Sequence, residues 1–319
     1  MTSRIALLSI LSVCAAAGQK NPDAGPQAAE VKAPPTFRSG VSNVRIDAQV
    51  TDRNHQLIVD LTAADFEVYD EGIPQRVLHA DLAQEPLSLV LLLDVSGSMK
   101  KFVEQLASTA QLALRQLRPG DRVAVMIFSR GAKVRVPFTT DVEAAARDLT
   151  DAVQDDSLGM ATEINRALLE AAEYLRADAE TGRRAVLILT DNQGLNYRAP
   201  DEEVIRAFAE ANAVVNAIVI GRGDRPPEKE KGGMLNPDFT VPNVFRIAEE
   251  TGGEAIRAQQ AAGVFPQMVR RIRTRYSIHY RAPEGARAYR RVELRLAPHA
   301  SSRFPGAILR YRRGYQAGS

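Results

Sequence analysis

Asp94, Ser96 and Ser98 stand at alternate positions in Leu93-Asp94-Val95-Ser96-Gly97-Ser98. An extended turn presents alternate side chains on one side, and Gly97 lets the backbone bend there, so one acid and two hydroxyls can aim at a single point. Carboxylate and hydroxyl oxygens are hard ligands. They suit Mg²⁺, with Mn²⁺ or Ca²⁺ as alternatives, and the chemistry they point to is a divalent-cation site. The competing reading is that Ser96-Gly97-Ser98 turns the chain and caps the next helix, with the acids as ordinary loop residues.

The residues before this turn set its place in a fold. Ser88-Leu89-Val90-Leu91-Leu92-Leu93 is a run of branched apolar residues, too short for a membrane span and typical of a fully buried parallel strand. Beyond Pro86 buried strands alternate with amphipathic helices, the pattern of an open α/β sheet. A helix is expected from about Lys100 to Leu117, stopped by Pro119-Gly120. Strands are expected at Asp121–Phe128 and Ala132–Phe138, joined by the tight Ser129-Arg130-Gly131 turn, with the second antiparallel at the sheet edge. Helices at Val142–Val153 and Glu163–Ala177 lead to a strand Arg184–Leu189. The unit closes through helix Glu202–Asn212, strand Val214–Ile220, helix Val244–Glu250, strand Glu254–Arg257 and helix Val264–Arg275.

Both flanks read as β structure. Val44–Val50 alternates apolar and polar residues, and short strands are expected at Leu57–Val59, Phe66–Tyr69 and Arg76–Ala80, with Asp70-Glu71-Gly72-Ile73-Pro74 as a turn. Tyr276–Tyr280, Arg291–Leu296 and Ala307–Tyr311 alternate again and can pair with the N-terminal strands. The expected organisation is a signal peptide over 1–17, a flexible tether over 18–38, a β region over 39–85, the α/β domain over 86–275 and a C-terminal β region over 276–315. The fold class is therefore α/β, with an open, mostly parallel Rossmann-like sheet carrying helices on both faces, flanked by a small β domain built from both ends of the chain.

In such a sheet, ligands sit outside the carboxyl ends of the strands, where strand order reverses. Three oxygen-bearing loops are expected there: the Asp94–Ser98 turn, Gly159-Met160-Ala161-Thr162 with a hydroxyl at the start of a helix, and Thr190-Asp191-Asn192 at the end of a strand. These residues resemble the von Willebrand factor type A domain family. Its metal-ion-dependent adhesion site is an Asp-x-Ser-x-Ser loop with a distant Thr and Asp. The resemblance implies Asp94, Ser96, Ser98, Thr162 and Asp191 as the metal-site residues, and Ala167-Leu168 continues the likeness after Thr162. Members commonly have Gly directly before that Thr, whereas here Met160-Ala161 follow Gly159. Leu61–Gly72 and Arg310–Tyr315 further resemble the secreted acidobacterial type of these proteins. What the resemblance implies is metal-dependent protein binding, with the cation taking an Asp or Glu carboxylate of a partner protein.

Composition bounds the remainder. The chain has 319 residues, 45% of them hydrophobic and 25% charged, with a net charge of +2, an ordinary globular balance that gives no case for nucleic acid. Arginines gather toward the C-terminus, from Arg270 to Arg313, and many alternate with apolar residues, as the solvated face of a strand does. Met1-Thr2-Ser3-Arg4, an apolar run from Ile5 to Ala17 and the triplet Ala15-Ala16-Ala17 read as a secretory signal cleaved after Ala17, placing the mature chain outside the cell or in the periplasm or envelope. No integral membrane span is expected after its removal. A lipid anchor at Cys14 is the lesser alternative, since Leu11-Ser12-Val13 puts a bulky residue before the cysteine. Cys14 is the single cysteine, so removal at Ala17 excludes disulfides and thiolate ligands.

Enzyme chemistry is disfavoured. An apolar strand ending in Asp also opens metal-dependent phosphohydrolases of the haloacid-dehalogenase type, but those resemble Asp-x-Asp, and Ser96 occupies the place of the proton-donating second acid. His55, His79, His279 and His299 all fall in the flanking β regions. A third reading is a structural envelope module with a vestigial metal site. The irregular segment Gly221–Asn243 leaves a strand at its carboxyl end and reads equally as a specificity loop or a surface insertion. Arg222-Gly223-Asp224 within it is a tripeptide too short to signify.

Overall fold

A computed structural model of the chain describes residues 43–152, 162–221, 238–283 and 288–317. The signal and tether segments, Cys14, Gly159-Met160-Ala161 and Arg222-Gly223-Asp224 lie outside the described residues.

The N-terminal flank supplies β1 (Asn43–Thr51), β2 (Phe66–Asp70), β3 (Ile73–Gln75) and β4 (Val77–Leu82). The middle of the chain forms β5 (Leu87–Asp94), α1 (Lys100–Ala107), α2 (Ala110–Leu114), β6 (Arg122–Phe128), β7 (Ala132–Thr139), α3 (Val142–Ala152), α4 (Ile164–Ala177), β8 (Arg183–Thr190), β9 (Asn196–Tyr197), α5 (Asp201–Glu210), β10 (Ala213–Ile220), β11 (Phe239–Thr240), α6 (Val244–Thr251), β12 (Ala255–Ala258) and α7 (Ala261–Arg273). The C-terminal flank adds β13 (Tyr276–Arg281), β14 (Ala288–Leu296), α8 (Pro298–Arg303), β15 (Ile308–Tyr311) and β16 (Gly314–Ala317).

Every residue of β5 is buried, because helices cover the sheet on both faces. Leu87, Leu89, Leu91 and Leu93 pack with Met99, Leu106, Leu149 and Phe265 of one helical layer, while Val90 and Leu92 pack with Leu168, Phe208 and Ile247 of the other. The alternation of side chains along a strand divides one apolar run between two cores. The six strands run β12-β10-β8-β5-β6-β7, parallel except for the antiparallel edge strand β7. From β5 the chain moves outward to β6 and β7, then returns to β8 on the other side. Strand order therefore reverses between β5 and β8, whose pairing puts Leu93 opposite Leu189.

The flanking strands form two four-stranded antiparallel sheets, β15-β1-β13-β4 and β16-β14-β2-β3. Each sheet joins strands from both ends of the chain, and their shared core includes Ile46, Val68, Tyr276, Ile278 and Leu294. Asp70 joins the two sheets: it accepts from Tyr280 Oη at 3.0 Å, Tyr315 Oη at 2.8 Å and Arg290 Nε at 2.7 Å.

Four local expectations are corrected. The helix expected from Lys100 to Leu117 is broken in two, because Ser108 Oγ donates to Gln105 O at 2.6 Å and Thr109 Oγ1 to Leu106 O at 3.1 Å, side-chain bonds that compete with the helical ladder. Leu57–Val59 is no strand but a single bridge from Leu57 to Thr51, set by a turn in which Asp52 Oδ1 accepts from Asn54 N and Gln56 N. Ile73-Pro74, taken as turn, belongs to β3; Glu71 and Gly72, with φ of 50° and 78°, make the two-residue reversal alone, and Pro74 is tolerated because β3 is an edge strand.

The fourth correction concerns the arginines. Arg273 and Arg275 are 3% and 2% exposed and face inward at the junction between the parallel sheet and the β unit. Arg273 Nε lies 2.8 Å from Asp121 Oδ2, and Arg275 Nη2 donates to Gly252 O and to Arg310 O. Arg183, at the start of β8, donates to Ile272 O and Arg273 O, each at 2.8 Å, at the end of α7. Burial by itself would raise the Asp47 pKa; the guanidinium groups of Arg183, Arg45, Arg275 and Arg312 outweigh it and hold the carboxyl below its ordinary value. The amino-terminal edge of the parallel sheet is thus anchored by charge, leaving the carboxyl edge to the site.

Candidate metal centre

Asp94 is the last residue of β5 and Thr190 the last of β8, so adjacent parallel strands deliver both to the carboxyl edge. Asp94 is fully buried. Its Oδ1 accepts from Ser96 N at 3.0 Å and its Oδ2 from Thr190 Oγ1 at 2.8 Å. The first bond folds the turn back on its own acid, and the second ties the two strand ends together. Ser96 Oγ lies 3.3 Å from Ser98 Oγ, and Ser98 Oγ donates to Asp191 Oδ2 at 2.8 Å. Asp191 Oδ1 is held by Gln193 N at 3.0 Å. Ser96, Ser98, Thr162 and Asp191 line one cavity of about 980 Å³, with Asp94 behind them. All five sequence-derived residues therefore meet at the switch point.

Close backbone approach fixes the Thr162 side. Glu163 N donates to Ser129 O at 2.9 Å in the turn after β6. Gly194 has φ of +147°, and a Cβ there would fall 2.5 Å from Thr162 O. Any side chain at 194 must push the Thr162 backbone outward. Gly194→Ala is therefore expected to weaken divalent-cation affinity about 10- to 100-fold without altering a donor, the range for disturbing groups that orient ligands; calorimetric titration with Mn²⁺ checks it, and unchanged affinity would show that Thr162 plays no part.

The electrostatics ask for a cation. Burial pushes the Asp94 carboxyl up to about 6, and the neighbouring charge of Asp191 adds to the rise, against hydrogen bonds from Ser96 and Thr190 that pull it down. Neither acid is in an ion pair with a described residue, and among the described residues no group of three or more His, Cys, Asp or Glu is placed to hold a metal ion. Two carboxylates with neutral hydroxyls form a hard, oxygen-only donor set. Together they would at most neutralise a dication, and a cation held here would stay electrophilic where one of the two acids acts through water.

Seven residues of this cavity escaped the sequence reading: Arg130, Glu163, Gln193, Gly194, Leu195, Tyr197 and Phe239. Arg130 sits in the turn leaving the carboxyl end of β6, and that position was the available signal. The described end of the segment after Gly221 also returns to the cavity, where β11 pairs with β9.

The open, mostly parallel α/β sheet thus brings an Asp-x-Ser-x-Ser turn, a Thr and an Asp to its switch point, the arrangement the sequence resemblance implies. Residues 89–193 match the family model of the von Willebrand factor type A domain. Among solved structures, it is similar to a von Willebrand factor type A protein from Catenulispora acidiphila, at 14% identity over 88% of this chain and 74% of that one, TM-score 0.46. It is also similar to an aerotolerance-related membrane protein from Bacteroides fragilis, at 19% identity over 58% and 98% of the two chains, TM-score 0.45. Proximal thread matrix protein 1 from the mussel byssus, whose metal-ion-dependent adhesion motif holds zinc, is 18% identical over 62% and 48%, TM-score 0.46. No curated protein matches the chain.

Proposed function

We propose that the chain is an exported, metal-dependent protein-binding module for adhesion or scaffolding, in which Asp94, Ser96, Ser98, Thr162 and Asp191 hold a divalent cation, Mg²⁺ by preference, that takes an Asp or Glu carboxylate from a partner protein. The observation that carries this reading is the buried Asp94 beside Asp191, two acids gathered with hydroxyls and neither in an ion pair with a described residue. With few anionic donors the cation stays electrophilic toward an outside carboxylate. Ser96 stands where a phosphohydrolase would need a general acid, and no histidine lines the cavity, so binding is favoured over catalysis. Export rests on the N-terminal sequence; no described helix is long and apolar enough to cross a membrane. We further propose that 86–275 is one domain inserted between the halves of a β domain, 39–85 and 276–315.

Calorimetry decides the metal assignment. Wild type is expected to bind Mg²⁺ and Mn²⁺ and Asp94→Ala to bind neither; equal heats from both proteins sink it. Capture of partners from the envelope fraction, with chelator and then with the cation restored, separates the function: capture insensitive to chelator favours a structural module with a vestigial site.

A further inference from the structure

Beside the polar donors the same cavity has an apolar wall. Asn196 pairs with Thr240 and Tyr197 with Phe239 in the short antiparallel ribbon of β9 and β11, and the two rings lie 5.2 Å apart, tilted by 48°. Leu195 and Tyr197 are 47% and 45% exposed although both line the cavity with Phe239. Single exposed apolar residues are normal on a protein surface; here they line one cavity together. Arg198 stacks its guanidinium 5.1 Å from the Tyr197 ring and pairs with Asp238 at 3.2 Å. Asn196 accepts from Asn165 N at 2.9 Å, which ties the ribbon to the first turn of α4 next to Thr162. Rigid aromatic surface lowers the ordering cost of binding and is the usual form of an interface anchor.

The ribbon lies outside the segment matched to the family, which ends at residue 193. The five proposed metal-site residues fall within the matched segment, and the apolar wall falls outside it. The exposed Arg130 and the half-buried Glu163 also line the cavity with opposite charges, so what adjoins the acids proposed to hold the cation is the apolar shelf. A cavity of about 980 Å³ is larger than one carboxylate side chain fills. Charge complementarity and the shelf together select the occupant.

We propose that the partner presents an extended peptide segment in which the acidic residue taken by the metal is accompanied by a large apolar side chain that seats on Leu195, Tyr197 and Phe239. This rests on the metal reading above, and the shelf adds the specificity which capture of a bare carboxylate lacks.

The test uses the full chain, Mn²⁺ and short labelled Gly/Ser peptides with one central Glu and one Phe placed at successive positions on either side, against the same peptides with Ser for Phe. Fluorescence anisotropy is expected to show at least one Glu–Phe spacing binding wild type about tenfold or more tightly than its Glu–Ser counterpart, the scale of one interface anchor. The double variant Leu195→Ser, Tyr197→Ser should bind Mn²⁺ as wild type does in calorimetry and lose the preference for Phe. Mn²⁺ bound with no discrimination among peptides, or discrimination that persists in the double variant, overturns the shelf alone. Absence of Mn²⁺ binding by wild type overturns the metal reading and the shelf with it.

Discussion

In chelator at pH 7.5, Asp94→Asn is expected to unfold at a higher temperature than wild type. The Asp94 carboxyl is raised from 3.8 to about 6 by burial first and by Asp191 second. A folded-state value above the unfolded one means the native protein binds the proton more tightly. Wild-type stability in the absence of metal therefore falls as pH rises from about 4 through about 6, and is flat above. The full difference is about 3 kcal/mol. Asparagine removes the buried charge but keeps one acceptor oxygen, so either the Ser96 N–H or the Thr190 hydroxyl loses its partner at a cost of about 1 kcal/mol. The net gain is about 2 kcal/mol at pH 7.5 and vanishes near pH 4.5. Saturating Mn²⁺ should reverse the order. Wild type then gains about 2.7 kcal/mol at a hundredfold excess over its dissociation constant, and the asparagine variant gains none. A metal-free difference that is independent of pH, or a variant less stable than wild type at pH 7.5, would show that Asp94 carries no uncompensated charge.

The gathering of the candidate site's residues was legible in the sequence. Asp94, Ser96 and Ser98 are local, their spacing alone aims them together, and a buried parallel strand announces itself as an unbroken apolar run. The alternation of such runs with amphipathic helices likewise exposes a mostly parallel sheet. What stayed hidden depends on contacts remote in sequence. Tyr197 and Phe239 form a ribbon only because the chain after β10 returns to the switch point, and two-residue strands leave no periodic trace. Ser108 and Thr109 look neutral in a helix until their hydroxyls are seen bonding the preceding turn. The C-terminal arginines misled most. Their alternation with apolar residues has the period of a solvated strand face, and only acids far away in the chain, Asp121 for Arg273 and Asp47 for Arg275, make burial tolerable.

Asp121→Ala is expected to be the most damaging substitution outside the metal centre, at about 3–5 kcal/mol. Asp121 is 2% exposed; its side chain accepts from Leu87 N at 2.8 Å where β5 begins and from Arg118 N at 2.8 Å, and it forms an ion pair with the guanidinium of Arg273 at 2.8 Å. Burial lowers the Arg273 pKa, and the Asp121 charge offsets part of that fall; removing the acid leaves a buried cation and two backbone N–H groups without acceptors. Asp121→Asn keeps one acceptor but no charge and should recover a minority of the loss. Urea unfolding followed by circular dichroism measures both. The position of Asp121 also separates stability from binding. It holds the amino-terminal start of β5, whereas Asp94 lies at the carboxyl end of the same strand, and none of the Asp121 partners lines the metal cavity. The folded fraction of Asp121→Ala should accordingly keep wild-type Mn²⁺ affinity. A parallel loss of affinity would instead show that strain at the junction reaches Asp94 along β5, making the ionic junction with the β unit part of the binding machinery and not only its anchor.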